Sequence, residues 1–325
     1  MTARSKRLFS IGIKIAIVVF ALWFIYVKLT SDNDLKRFVG LLQSLPKSEI
    51  TLVMSIVLAL MLVNWGLEAV KWRRLIKPIE AITLWRAIES VFCGLTLAVF
   101  TPNRIGEYGG RVFFLSPKRR IVGVVAMAVG NIGQMVITNV IGAISLSIFI
   151  YSFNVLDYRL CLAVFVMATV FCSCFLVFYF NINWLNKILL SIKYTRKYKK
   201  FYTILARYKK IELLKILLFC LTRYIVFSTE YFIMFNWLLP EISSWHVVML
   251  VSILFFVQSS LPSLDLLDIG IRSVTALFFF KFVTDQTTAV VACIASIWFI
   301  NIIFPAILGS YFVFKLNFFG SDKRN

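Results

Sequence analysis

Residues 121–156 run for 36 positions without a single Asp, Glu, Lys or Arg. As a helix that run would rise roughly 54 Å, well beyond a hydrocarbon core of about 30 Å. Apolar passages of crossing length recur at 11–29, 50–66, 160–186, 216–239 and 286–314. A chain built this way must bury most of its length in lipid. Composition agrees: 60% of the 325 residues are hydrophobic and 15% charged, against roughly 45–50% and about 25% in soluble domains. Intrinsic disorder and a disulfide-stapled secreted module are excluded by the same balance.

The formal net charge of +20 does not mark a nucleic-acid binder. The basic residues fall in short clusters between apolar runs, as in cytoplasmic loops, and not on one continuous surface. All six cysteines lie within apolar stretches, and Cys172-Ser-Cys174 lacks the spacing and histidine partners of a metal site. With His246 alone of its kind, no metal and no cofactor is expected. The passage at 11–29 is longer than the hydrophobic core of a signal peptide and lacks a small-x-small cleavage pattern, so a retained first span is expected.

Two further apolar passages are broken in the middle. Residues 90–115 contain Thr101-Pro-Asn-Arg-Ile-Gly-Glu-Tyr-Gly-Gly110, and 247–281 contain Leu261-Pro-Ser-Leu-Asp-Leu-Leu-Asp-Ile-Gly-Ile-Arg272. Such backbone survives at membrane depth only against protein or a watery cavity. Each therefore reads as a re-entrant hairpin, giving an all-α polytopic membrane protein with about six full spans and two hairpins. With a cytoplasmic start, 26 of the 35 basic residues fall inside, 6 outside and 3 within the membrane passages. That division obeys the positive-inside rule and places both termini in the cytoplasm. Halves at roughly 1–156 and 157–325 then repeat the same order from opposite sides, as an inverted repeat. Residues 187–215 form a basic cytoplasmic loop within a single membrane domain.

Ionisable groups inside a membrane are costly and mark candidate sites. The first hairpin offers Arg104, Glu107 and Arg111, with Pro102 and Gly106 shaping its tip. Either arginine suits a phosphate through its guanidinium fork; equally, Glu107 serves to neutralise one of them. The second offers Asp265, Asp268 and Arg272, with Pro262 and Gly270 as its structural residues. Asp265 suits a helix cap, and Asp268 can pair with Arg272 four positions on. Arg223 and Glu230 share a helix face two turns apart and are expected to pair with hairpin residues. Asn131, Gln134 and Thr138 share another face, where interhelical hydrogen bonding is the commoner use, and Ala126 with Gly130 makes a small-xxx-small contact. The 32 phenylalanines read mainly as lipid-facing filler.

Thr101-Pro-Asn-Arg-Ile-Gly-Glu107, Leu261-Pro-(x7)-Gly270-x-Arg272 and the preceding Asn64-x3-Glu68-x3-Trp72 resemble the flippase-like membrane family named for the transmembrane region of lysylphosphatidylglycerol synthase. The resemblance covers nearly the whole chain. It implies a lipid-translocating fold of the cell membrane, with relatives linked to aminoacylated phospholipids or lipid-linked sugars. After Phe314 only eleven residues remain, so the soluble synthase domain of the full enzymes is not expected. The leading expectation is a non-enzymatic transporter of an anionic-headgroup lipid. A membrane transferase or hydrolase using Glu107, Asp265 and Asp268, and an assembly partner acting through the basic loop, are the alternatives. Self-association and a separate synthase partner stay open.

Overall fold

The computed structural model describes residues 46–99, 101, 104–196, 199–260 and 268–316, with positions 12, 14, 15, 19, 23 and 40. The expected span at 11–29 lies largely outside the described residues, as do Pro102, Pro262 and Asp265. All secondary structure among the described residues is helical. Among the described residues four passages are long and apolar enough to cross a membrane: Lys47–Ile76, Pro117–Ser152, Tyr158–Phe180 and Thr287–Val313.

The first described helix, α1 (Lys47–Ile76), is longer than the sequence pattern suggests. Its last three turns carry Lys71, Arg73 and Arg74, which by composition form one of the short basic clusters between apolar runs. Helix propensity continues through Glu68-Ala-Val-Lys-Trp-Arg-Arg74, and no Gly intervenes until Pro78 forces an end. Next come α2 (Leu84–Ala98) and α3 (Ile105–Val112). Thr83 caps α2, its hydroxyl accepting from the Arg86 amide at 3.2 Å, so this arm begins six residues before the expected start at 90.

At about 22 and 12 Å, α2 and α3 are each shorter than a hydrocarbon core. They fold into a tight antiparallel hairpin because glycines remove the side chains between them. A Cβ on Gly110 would lie 2.4 Å from the Gly94 Cα, and one on Gly106 would lie 2.1 Å from the Leu97 carbonyl oxygen. Thr101 ties the turn, donating to Leu97 O at 2.9 Å and accepting from the Gly106 amide at 2.8 Å. The hairpin's two ends meet at its base: Glu80 accepts from the Ser116 amide and hydroxyl at 3.0 and 2.8 Å.

The long helix α4 (Arg120–Ser152) follows, and α5 (Tyr158–Phe180) leans on it with most of its own surface outward. Gly130 lets α4 approach α1, since a Cβ there would meet Leu75 at 2.6 Å. Short helices at Asn183–Ser191, Lys193–Arg196, Lys199–Tyr202 and Thr203–Arg207 occupy the segment expected as a loop. It is folded, with Tyr202, Ile204, Leu205 and Tyr208 buried and the Tyr208 hydroxyl donating to Leu75 O at 2.6 Å.

There follow α6 (Lys210–Leu238), a pair of shorter helices α7 (Ser244–Ser260) and α8 (Asp268–Phe280), then a final long passage. That passage is α9 (Thr287–Trp298), a π-helical turn (Phe299–Ile303) and α10 (Phe304–Val313). Helix α10 packs directly on α2. Gly309 meets the Phe92 carbonyl so closely that a Cβ would sit 2.0 Å away, and Thr96 donates to Ala306 O at 2.7 Å. The aromatic residues are not only lipid-facing: Phe235 stacks on Phe280, and Phe227 on Phe255, inside the bundle.

Candidate functional site

Asn64, Glu68 and Lys71 are spaced by four and three along α1, which puts them on one helix face. That face turns inward, leaving Asn64, Glu68 and Lys71 all buried. Glu68 is the hub. Its Oε1 accepts from Arg111 Nη1 at 2.6 Å, and its Oε2 takes Lys71 Nζ at 2.7 Å and Arg223 Nη1. Arg223 is further oriented by Asn64, its Nε donating to Oδ1 at 2.9 Å, and lies over the Trp65 ring at 5.2 Å. Three cations thus converge on one carboxylate.

Arg111 continues the network by donating also to Glu107, which pairs in turn with Arg104 Nε at 2.9 Å. Arg104 stands at the hairpin turn in the left-handed region, with φ 56° and ψ 28°. A non-glycine residue held there marks local strain of the kind found at functional sites. Broken in isolation, a buried pair of this sort costs about 3–5 kcal/mol, because the surviving charge is left without its partner.

The network borders a cavity of about 440 Å³. Lys71, Glu68, Arg104, Glu107 and Arg223 are among its lining residues, and Arg272 of α8 lines it too. Asn131, Gln134 and Thr138 of α4 form part of the wall, as do the stacked rings of Phe227 and Phe255. Asn131 donates to the Tyr108 hydroxyl at 2.6 Å, so the expected interhelical bond is present and also faces the cavity. Gln134 Oε1 and Gln258 Nε2 reach this wall with no hydrogen-bond partner among the described residues. Polar atoms of both signs, cations and an aromatic face therefore meet in one recess.

Several expectations change on these contacts. Arg111 does not line the cavity; it is 1% exposed and acts as a strut between Glu68 and Glu107. Arg223 pairs with α1 and not with a hairpin, and Glu230 bonds to Asn301 of the final passage. Arg272 donates to the Tyr231 hydroxyl at 3.2 Å, while the Asp268 side chain lies outside the description. Gly270 has nothing within 4 Å of where a Cβ would stand, so no close approach among the described residues requires a glycine there.

Glu68, Lys71, Asn64, Gln258 and Asn301 were missed as site residues, Glu68 and Asn64 having entered only as positions of a motif. Lys71 was hidden within a basic cluster that imitates a loop, although its spacing from Glu68 gave the signal. Without Lys71 and Arg111, which are buried, the inside tally of basic residues falls from 26 to 24 against 6 outside. No protein-family model, no curated protein and no solved structure matches this chain.

Proposed function

We propose that this chain is a membrane transporter for lipids with an anionic headgroup, of the flippase-like kind that its motifs resemble. The observation that carries the reading is the sharing of Glu68: Lys71 and Arg223 both line the cavity and have this one carboxylate between them, which Arg111 also occupies. A phosphate or similar anion entering the recess supplies the charge these cations share too thinly. The charged lining suits a headgroup and not acyl or prenyl chains, so the tails stay in lipid while the headgroup crosses. Arg104 of the first broken passage and Arg272 of the second both line the cavity.

In this reading the four apolar helices, α6 and the passage at 11–29 are the six spans, and α2–α3 and α7–α8 are re-entrant hairpins. The halves form the inverted repeat, with both termini in the cytoplasm. Rocking of one half against the other opens the cavity to alternate leaflets.

The test is reconstitution into vesicles with a headgroup-labelled phospholipid or lipid-linked sugar, following its accessibility from one leaflet. Arg→Lys at 104 or 272 keeps charge but loses the planar fork and should slow movement partially, with Arg→Ala slowing it more. Lys199→Ala, in the basic segment, should leave movement unchanged. Parental movement by a folded double alanine variant would remove the headgroup from this cavity. Chemical turnover of the lipid by purified protein would replace transport with an enzyme.

A further inference from the structure

Glu230 and Asn301 face each other from α6 and the π-helical turn, 0% and 3% exposed. Asn301 Nδ2 donates to Glu230 Oε2 and to Ile297 O. The two remaining side-chain oxygens, Glu230 Oε1 and Asn301 Oδ1, have no hydrogen-bond donor among the described residues. Two orphaned acceptors are expensive, since each buried polar group has lost its hydration with no bond in return. The amide is already using both of its donors, so flipping it would exchange one deficit for another. One added proton removes both deficits. A carboxylic acid and a primary amide pair as a closed ring, the amide N–H donating to one carboxyl oxygen and the acid O–H to the amide oxygen.

The surroundings do not supply a substitute for that proton. Arg223, two turns back on α6, is held by Glu68 and Asn64. Of the elements packed on α6, α1 presents Glu68 and Lys71, which bond to each other. Helix α9 presents Cys293, bonded to Met234 O, and α5 presents Tyr179, bonded to Leu213 O. Among the titratable groups of α4 are Arg120, over the Phe113 ring, and Tyr151, and α7 carries His246 against Phe153. Arg272 reaches the neighbouring Tyr231 hydroxyl from α8. A π-helical turn at the contact adds a second indication, because such insertions gather at functional sites, and Asn301 also lines the headgroup cavity.

We propose that Glu230 and Asn301 form a proton-binding site reached from the cavity through Asn301, which lines it, and that proton uptake there is coupled to headgroup movement. The proton joins Glu230 Oε1 from water reaching the cavity, and is released when the site opens to the opposite side. The coupling, though not the proton site, rests on the transporter reading above.

Infrared difference spectra of the purified full chain, recorded against pH, test the site first. One carboxylic C=O band that titrates in the parent should be lost in Glu230→Gln and retained in Glu212→Gln; Asn301→Ala should keep the band but shift its frequency. Identical spectra for the parent and Glu230→Gln would overturn the site. A band that responds to added Na+ at fixed pH, and not to pH, would replace the proton with a metal cation. In vesicles, an imposed pH gradient should accelerate headgroup movement by the parent and leave Glu230→Gln unaffected. Movement indifferent to the gradient, with the band titrating, overturns the coupling alone. A titrating band with no movement by the parent overturns the transporter reading and leaves the proton site standing.

Discussion

Gly110→Ala isolates what holds the first hairpin together. The added Cβ would lie 2.4 Å from the Gly94 Cα and 2.7 Å from its nitrogen. These are backbone atoms that cannot swing aside, so the two arms must separate by about 1 Å to reach ordinary contact. Overpacking of this kind costs about 1–3 kcal/mol. Arg111, the next residue, moves with α3. A shift of that size would stretch its 2.6 Å bond to Glu68 beyond hydrogen-bonding range, adding about 1.5–3 kcal/mol for a bond to a charged group. The combined loss is about 2.5–6 kcal/mol, large against typical total stability. Gly66→Ala is the control: a Cβ there meets nothing within 4 Å, and replacing a helical glycine should gain about 0.5–1 kcal/mol. Thermal unfolding of both variants in detergent should move in opposite directions. A Gly110→Ala protein within about 1 kcal/mol of the parent would refute the close-approach account of the hairpin.

Glu68→Gln leaves Lys71, Arg111 and Arg223 without their shared anion and should cost about 3–5 kcal/mol; unchanged unfolding would show that the network carries no stability. Arg104→Gly and Arg104→Ala both lose the pair with Glu107, but only glycine relieves the left-handed backbone, so the glycine variant should be the more stable by about 1–3 kcal/mol while headgroup movement falls in both; equal stability would mean the strain is absent. Single cysteines at Lys77 and Lys118, beside the hairpin base, should label from the same side of the membrane, whereas labelling from opposite sides would make the hairpin a span. At the end of α6, partial burial pushes the Glu212 carboxyl up, but the hydrogen bonds and charge of Arg74, with Lys215, hold it below its ordinary value. Its contribution is therefore present above about pH 4.3 and lost as pH falls through the lower folded value. With both partners about a third exposed the effect stays under about 1 kcal/mol. It should show as a stability gap between the parent and Glu212→Gln at neutral pH that closes in acid; no gap at neutral pH refutes it.

The broken passages were legible because Pro, Gly and charged residues inside an apolar run contradict a plain span, and those same residues brought Arg104, Glu107 and Arg272 to the site. Their partners were less legible. The Glu68–Arg223 contact joins positions 155 apart and Glu230–Asn301 positions 71 apart, and nothing in local spacing encodes such distances. Lys71 shows a different failure. Adjacent basic residues signal a loop by composition, while helix phase signals a buried face, and composition prevailed. The π-helical turn is invisible for a third reason: Phe-Ile-Asn-Ile-Ile carries no propensity against an ordinary helix, so tertiary packing selects it.

The seating of α10 against α2 sets an order of events at the ribosome. Thr96 waits for the Ala306 carbonyl across 210 residues, and the Gly309 approach to Phe92 arrives later still. At about 5–20 residues per second, translation leaves the first hairpin without its outer wall for roughly 10–40 s. During that interval Glu89, which ends up paired with Lys315, also lacks its counter-charge. The hairpin nearest the start of the described chain is thus among the last parts to mature. A lesion in Phe304–Val313 will therefore surface as a biogenesis defect in a segment made two hundred residues earlier.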